Sequence, residues 1–273
     1  NGNGLYDGCA TDTCTPWLPE PADTPLVGDW TGTGTKRLGL YRGSSGTWYF
    51  DTNGDGLYTP ETDSTSVFGG DPSDVPVVGK WTADGPAKLG IYRTNGGYWY
   101  LDWNGNGLFD GCATDRCFLW GSDPSDVPVV GDWTGSGTTK IGIYRQGTGM
   151  WYLDLDGNGV YEPGTDATIG WGADASDVPV VGDWNGDGRT KIGIFRASTH
   201  TFYLDTNGNG VQEFAGPDAA FAWGSDPSDV PVVGQWTGGL VTKVGVYRQG
   251  TGMWYLDTDG NGLFEPATDA AIG

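Results

Sequence analysis

Five segments of the 273-residue chain place oxygen-bearing side chains at alternate positions around an Asn/Asp/Gly turn. They read DTNGDGLYTPETD from Asp51, DWNGNGLFDGCATD from Asp102, DLDGNGVYEPGTD from Asp154, DTNGNGVQEFAGPD from Asp205 and DTDGNGLFEPATD from Asp257. Carboxylate or amide oxygens fall at positions 1, 3 and 5, Gly at 6, an acid at 9 in four of the five, and Asp at 13 or 14. Calcium takes roughly six to eight oxygens from a sharply curved backbone, and alternate positions around a Gly turn supply them in a row. The candidate ligands are Asp51, Asn53, Asp55 and Asp63; Asp102, Asn104, Asn106, Asp110 and Asp115; Asp154, Asp156, Asn158, Glu162 and Asp166; Asp205, Asn207, Asn209, Glu213 and Asp218; and Asp257, Asp259, Asn261, Glu265 and Asp269. Asn-Gly and Asp-Gly also make hairpin turns without any metal. Retention of the oxygens through five copies whose other residues vary favours the ligand reading. In the first copy Thr59 stands at position 9, so Glu61 or Asp63 must substitute, and a partial copy at Asn1 lacks its opening Asp.

These loops recur because the chain is a tandem repeat, a signal to be read before any local one. PLVGDW at Pro25 returns as PVVGKW at Pro76, PVVGDW at Pro128 and Pro179, and PVVGQW at Pro231, about 51 residues apart each time. Each unit continues through TKIGIYR-like and MWYLD-like runs, then the acidic loop, then a short run such as TIGWG. Four short runs rich in Val, Ile, Tyr and Trp, separated by Gly/Asp/Asn/Thr clusters, predict four strands, here a, b, c and d, and nothing reads as a helix. The expected fold is all-β: a β-propeller of five four-stranded blades, over 24–73, 74–125, 126–176, 177–228 and 229–273, in one repeat domain spanning 1–273. Residues 1–23 are a partial unit carrying an extra d-type strand, which is expected to complete the last blade, to belong to a longer tandem array or to pair with another subunit. In this order the a–b and c–d loops share one face. A 103-residue near-repeat, seen in GSDPSDVPVVG and YRQGTGMWYLD, points to duplication of a two-blade unit.

The a–b loop of the fourth unit, VGDWNGDGRTKIGIFR from Val181, resembles the FG-GAP/VCBS-like repeat of calcium-binding propellers in integrin-like and bacterial or archaeal surface proteins. The resemblance covers all five units in spacing and strand pattern, with Asp183, Asn185 and Asp187 on the ligand positions. It implies a metal site there, but the further Asp expected just before strand b is replaced by Arg37, Lys88, Lys140, Lys191 and Lys243. The expectation is that the ammonium or guanidinium takes the place of the metal, so that calcium belongs to the c–d loops. Those loops match the first half of an EF-hand loop, without its helices or its Glu at position 12.

Arg42, Arg93, Arg145, Arg196 and Arg248 close strand b in every unit, near Asp74, Asp126 and Asp229; blade-to-blade ion pairs are expected, with Arg145 and Arg196 as alternative holders of a ligand. Trp133, Trp184 and their equivalents read as packing between blade sheets, or as platforms for sugar rings. Cys9 with Cys14 and Cys112 with Cys117 occupy the same place in two units, and both positions turn to Ala together, at Ala215 and Ala220, in a third. Joint loss suggests two local disulfides, hence an oxidising, extracellular or cell-surface setting; metal binding by a Cys pair is the alternative.

A net charge of -21 disfavours nucleic acid and anionic lipid, and no apolar run approaches the roughly 18 residues that span a bilayer. The single His, His200, rules against a His triad or zinc centre, and nearly every acid belongs to a repeated loop rather than to an asymmetric acid/base pair. The expected protein is a secreted, calcium-stabilised propeller, a non-catalytic structural or adhesive module of an extracellular assembly or filament. A multivalent carbohydrate-binding lectin is the alternative and a glycosidase-like enzyme the third reading. Expected partners are calcium ions together with further protein subunits or surface glycans.

Overall fold

The computed structural model describes residues 23–237 and 239–272. Blade one comprises β1 (Asp23–Gly28), β2 (Arg37–Arg42), β3 (Thr47–Phe50) and β4 (Ser64–Val67); blade two, β5 (Asp74–Gly79), β6 (Lys88–Arg93), β7 (Tyr98–Leu101) and β8 (Arg116–Leu119). Blade three has β9 (Asp126–Gly131), β10 (Lys140–Arg145), β11 (Met150–Leu153) and β12 (Ala167–Gly170), and blade four β13 (Asp177–Gly182), β14 (Lys191–Arg196), β15 (Thr201–Leu204) and β16 (Ala219–Ala222). Blade five has β17 (Asp229–Gly234), β18 (Lys243–Arg248), β19 (Met253–Leu256) and β20 (Ala270–Ile272). Each blade is an antiparallel sheet in sequence order, so the expected all-β, five-bladed propeller is the fold of the described residues. The extra N-terminal strand, the partial loop at Asn1 and the pair Cys9 and Cys14 lie outside them.

Strand a is the edge of each sheet, and β1, β5, β9, β13 and β17 pack in succession, which makes them the inner strands. An edge strand tolerates the Pro that all five carry, because its free side needs no ladder donor. The core lies between blades. Trp99 of β7 packs with Ile141 and Ile143 of the next blade, and Trp151 of β11 with Ile192 and Ile194. Indole donors are satisfied as well: Trp48, Trp99 and Trp151 Nε1 donate to the carbonyls of Phe68, Trp120 and Trp171. Exposure rises at the outer blades, to 40% for both Leu38 of β2 and Trp254 of β19, whereas their internal equivalents are buried.

Backbone bonds tie neighbours at the a–b loops. Thr190 N donates to Asp132 O at 2.8 Å while Asp132 N donates to Thr190 Oγ1 at 3.0 Å, and Thr242 with Asp183 repeats the pair. The repeated Arg behaves differently from expectation. Register places Asp126 opposite Arg145 and Asp177 opposite Arg196 within one sheet, so the ion pair is internal to the blade rather than blade-to-blade. Arg145 Nε and Nη2 donate to the two oxygens of buried Asp126 at 2.7 and 3.0 Å. Ser122 N and Asp123 N, on the connection arriving from blade two, donate to the same carboxylate. Asp126 is therefore the hub that joins a connection to a sheet.

Removing one partner of a buried, hydrogen-bonded pair typically costs about 3–5 kcal/mol. Asp126→Ala is expected to lower unfolding free energy by about that amount in urea titrations, against about 1 kcal/mol or less for the exposed Asp123→Ala. Equal effects of the two would contradict the hub.

Candidate functional site

The five c–d loops fold identically around two aspartates. The position-1 carboxylate turns inward, Asp154 Oδ1 accepting from Gly157 N at 2.7 Å and Oδ2 from Gly159 N at 3.0 Å. Asp51, Asp102, Asp205 and Asp257 accept in the same way from the amides at positions 4 and 6. The last Asp clasps the loop base: Asp166 accepts from Leu155 N at 2.9 Å and Glu162 N at 2.8 Å, and Asp63, Asp115, Asp218 and Asp269 do likewise. Each carboxylate oxygen keeps a further lone pair for a cation. Position 9 also converges: Asn158 Nδ2 donates to Asp156 at 2.8 Å and Glu162 at 3.1 Å, Asn104 and Asn106 to Asp110, Asn207 and Asn209 to Glu213, and Asn261 to Asp259 and Glu265. In the first loop Asn53 Nδ2 donates to Asp55 instead, at 2.9 Å.

Carboxylate oxygens of Asp154, Asp156 and Asp166 lie within 4.8 Å of one another, as do those of Asp257, Asp259 and Asp269. Those two loops carry Asp at position 3; Asn53, Asn104 and Asn207 present a neutral amide there. Burial, and to a smaller extent the charges of Asp166 and Asp156, raises the protonation equilibrium of the innermost acid. Burial pushes the Asp154 carboxyl up to about 6, against the pull of the Gly157 and Gly159 amides, and moves Asp102, Asp205 and Asp257 in the same direction. Hard oxygens, crowded like charges and a curved backbone fit a divalent cation of the calcium type.

The loops of blades two to five also span a blade junction. The Gly at position 6 has positive φ in all five loops, and in these four a Cβ would press on the preceding blade: at Gly159 it would strike Phe118 of β8, and at Gly262, Phe221 of β16. Leu108 forms a parallel bridge with Val67 of β4. Blade two adds the disulfide Cys112–Cys117, which closes the segment that holds Asp115.

The a–b loops have the same turn but hold an ammonium. Lys191 Nζ donates to Asp183 at 3.0 Å, Asn185 at 2.6 Å, Asp187 at 2.7 Å and Arg189 O at 3.1 Å, the three side chains being those on the FG-GAP ligand positions. The Lys191 hydrogen bond, seconded by the Arg189 amide, holds Asp187 well below the usual carboxylate range. Elsewhere the cation meets hydroxyls, Lys140 reaching Thr134 and Ser136, and Lys88 reaching Thr82. Sequence reasoning missed where these side chains end: Arg37, Lys88 and Lys243 also donate to the position-2 carbonyls of Thr52, Trp103 and Thr258, bracing the a–b loop against the c–d loop of the same blade.

Trp133 and Trp184 are each only 7% exposed, and donate Nε1 to Ile141 O and Ile192 O, so neither offers a face on which a sugar could stack. Arg145 and Arg196 are committed through Nε and Nη2 to their aspartates. His200 lies in the b–c turn at φ 51°, where the other blades place Gly46, Gly97, Gly149 and Gly252, and it contacts Phe195 rather than any acid cluster.

No protein-family model matches the sequence, and no curated protein matches it. Among solved structures the fold is similar to that of an Agrocybe aegerita lectin studied for specific recognition of non-reducing terminal N-acetylglucosamine, at 18% identity and a TM-score of 0.52. The alignment covers 89% of this chain and 65% of the lectin, so the chain spans a little under two thirds of that protein's length. BBS1N, in a crystal structure with ARL6DN soaked with lead, aligns over 89% of this chain and 68% of its own at 12% identity and a TM-score of 0.48. At these identities the likeness is one of fold, a propeller.

Replacing Lys191 with Met removes the cation shared by Asp183 and Asp187 and leaves only the exposed Arg189 beside Asp187. The expected result is a lower melting temperature in EDTA and a larger recovery on adding calcium than the native chain shows. Unchanged stability in EDTA would contradict the ammonium's role as a built-in counter-ion.

Proposed function

We propose that this chain is a calcium-stabilised propeller of the FG-GAP-like type that serves as a non-catalytic structural or adhesive module of an extracellular assembly. The observation that carries the reading is the position of the c–d loops: five oxygen-lined turns with inward-facing aspartates, four of them packed over a blade junction and two gathering three carboxylates within 4.8 Å. Asp154, Asp156, Asn158, Glu162 and Asp166, and their counterparts in the other blades, would hold the ion, with Asp166 also clasping the loop base. A bound divalent cation relieves the repulsion among these acids and locks the loop against the neighbouring blade. At a free concentration about 100-fold above its dissociation constant each ion adds about 2.7 kcal/mol to folding stability. The disulfide Cys112–Cys117 accords with a secreted protein, since such bonds persist in oxidising compartments.

A non-catalytic role rests on symmetry. Acids repeated in every blade in the same surroundings supply no single raised acid opposed to a single base, as glycoside hydrolysis requires. Carbohydrate binding is the second reading, suggested by the lectin's similar fold and by aromatic side chains that line blade junctions. It is compatible with adhesion, because a surface glycan is one kind of adhesive partner.

The test is calcium stoichiometry and linked stability. Isothermal titration of the EGTA-treated, dialysed chain is expected to show about five ions bound, with a melting temperature that climbs with calcium. Protons compete for Asp154: its metal-free carboxyl is raised, so the metal-free fold loses stability as pH rises from about 4 to 6, while calcium binding gains. The calcium-induced rise in melting temperature is therefore expected to be larger at pH 7.5 than at pH 5. A chain that binds no calcium, or whose melting is indifferent to EGTA, would refute the proposal.

A further inference from the structure

Deepening the carbohydrate-binding reading, we propose that the junction between blades two and three is a binding site for one uncharged pyranose ring. A cavity of about 310 Å³ opens there between Trp120 and Ser122 of blade two and Arg145, Tyr152 and Tyr161 of blade three. Its size falls at the small end of small-molecule sites, which run from about 300 to 1,000 Å³, and suits a single ring better than an extended chain.

The walls have the chemistry of sugar recognition. Tyr161 stands edge-on to Trp120, with ring centroids 5.9 Å apart, and to Tyr152 at 6.0 Å, while its hydroxyl is held by Thr168 at 2.7 Å. It remains 44% exposed, so a fixed aromatic surface meets the solvent in the cavity mouth. The C–H face of a pyranose packs on such a ring, as apolar groups pack on aromatic faces generally. Polar groups line the same cavity. Arg145 sits over the Tyr152 ring at 5.2 Å and binds Asp126 through Nε and Nη2, leaving Nη1 without a hydrogen bond among the described residues. Ser122 uses its amide on Asp126, and its hydroxyl is available to a ligand.

Charge selects against acidic ligands. The guanidinium is neutralised by Asp126 and faces Asp123 at 3.8 Å, so the local balance is not positive and a carboxylate or phosphate gains nothing there. A ligand with hydroxyls to offer and no net charge uses both the aromatic ring and the polar groups. The sequence candidates for a sugar platform were the buried Trp133 and Trp184; the geometry transfers that role to Tyr161, an exposed residue at position 8 of a c–d loop.

The experiment uses the full chain with calcium. It is screened on immobilised glucose, galactose, mannose and N-acetylglucosamine and their disaccharides, and the affinity for the strongest free sugar is measured by titration calorimetry. At least one neutral sugar is expected to bind. Tyr161→Ala is expected to weaken it by about tenfold or more while the chain still folds, as read by circular dichroism, and Tyr161→Phe, which keeps the ring, to retain it. Binding that survives Tyr161→Ala would overturn this site while leaving carbohydrate binding elsewhere on the propeller intact. No binding to any sugar would overturn both.

Discussion

The whole structure depends on the blade junction, where apolar sheets must be covered and polar loops must lie close together. A single four-stranded sheet of this kind cannot bury both its faces. Trp99 and Trp151 are buried because the isoleucines of the following blade reach over them. The same junction then draws loops with several acids against a neighbour's strand, as Gly159 is drawn against Phe118. Apolar burial is non-directional, so the hydrogen bonds and the loops must set the angle between blades. Stability and charge repulsion thus meet in one place.

Two solutions to that repulsion coexist in each blade. In the a–b loops the chain supplies its own cation, most completely in blade four, where Lys191 contacts all three oxygen-bearing side chains of the turn. In the c–d loops Lys88 and Lys243 reach only position-2 carbonyls, and among the described residues no Lys or Arg forms an ion pair with the loop acids. Neutral Asn donors bridge the acids there, and burial raises the carboxyl at the centre. A covalently tethered cation is always present; the exchangeable one proposed for the c–d loops would make stability respond to the medium. The division explains why so many of the acids behind the charge of -21 can be tolerated in a single small fold.

Much of this was legible in the sequence because repetition multiplies weak signals. One DxDGNG turn is ambiguous, but five at about 51-residue spacing define the blade, its strands and the candidate oxygens. Replacement of an acid by Lys before strand b revealed the ammonium, and the joint change of two Cys to Ala revealed the bond at Cys112–Cys117. What remained hidden depends on reach and register. The partner of Arg145 is fixed by the pairing of β9 with β10, which turned an expected blade-to-blade contact into an internal one. The terminal Asp of each loop also clasps the loop base through two backbone amides, a second role that composition does not distinguish. Tyr161 was invisible as a binding surface because only the fold brings Trp120 beside it.

The central claim is that divalent cations in the c–d loops hold the blades together. Its most direct measurement is scanning calorimetry of the full chain across a calcium titration, alongside Asp154→Asn as a lesion confined to one loop. The account predicts a melting temperature that rises with calcium toward a plateau, and a smaller total rise for the variant. A melting temperature independent of calcium in both proteins would contradict it.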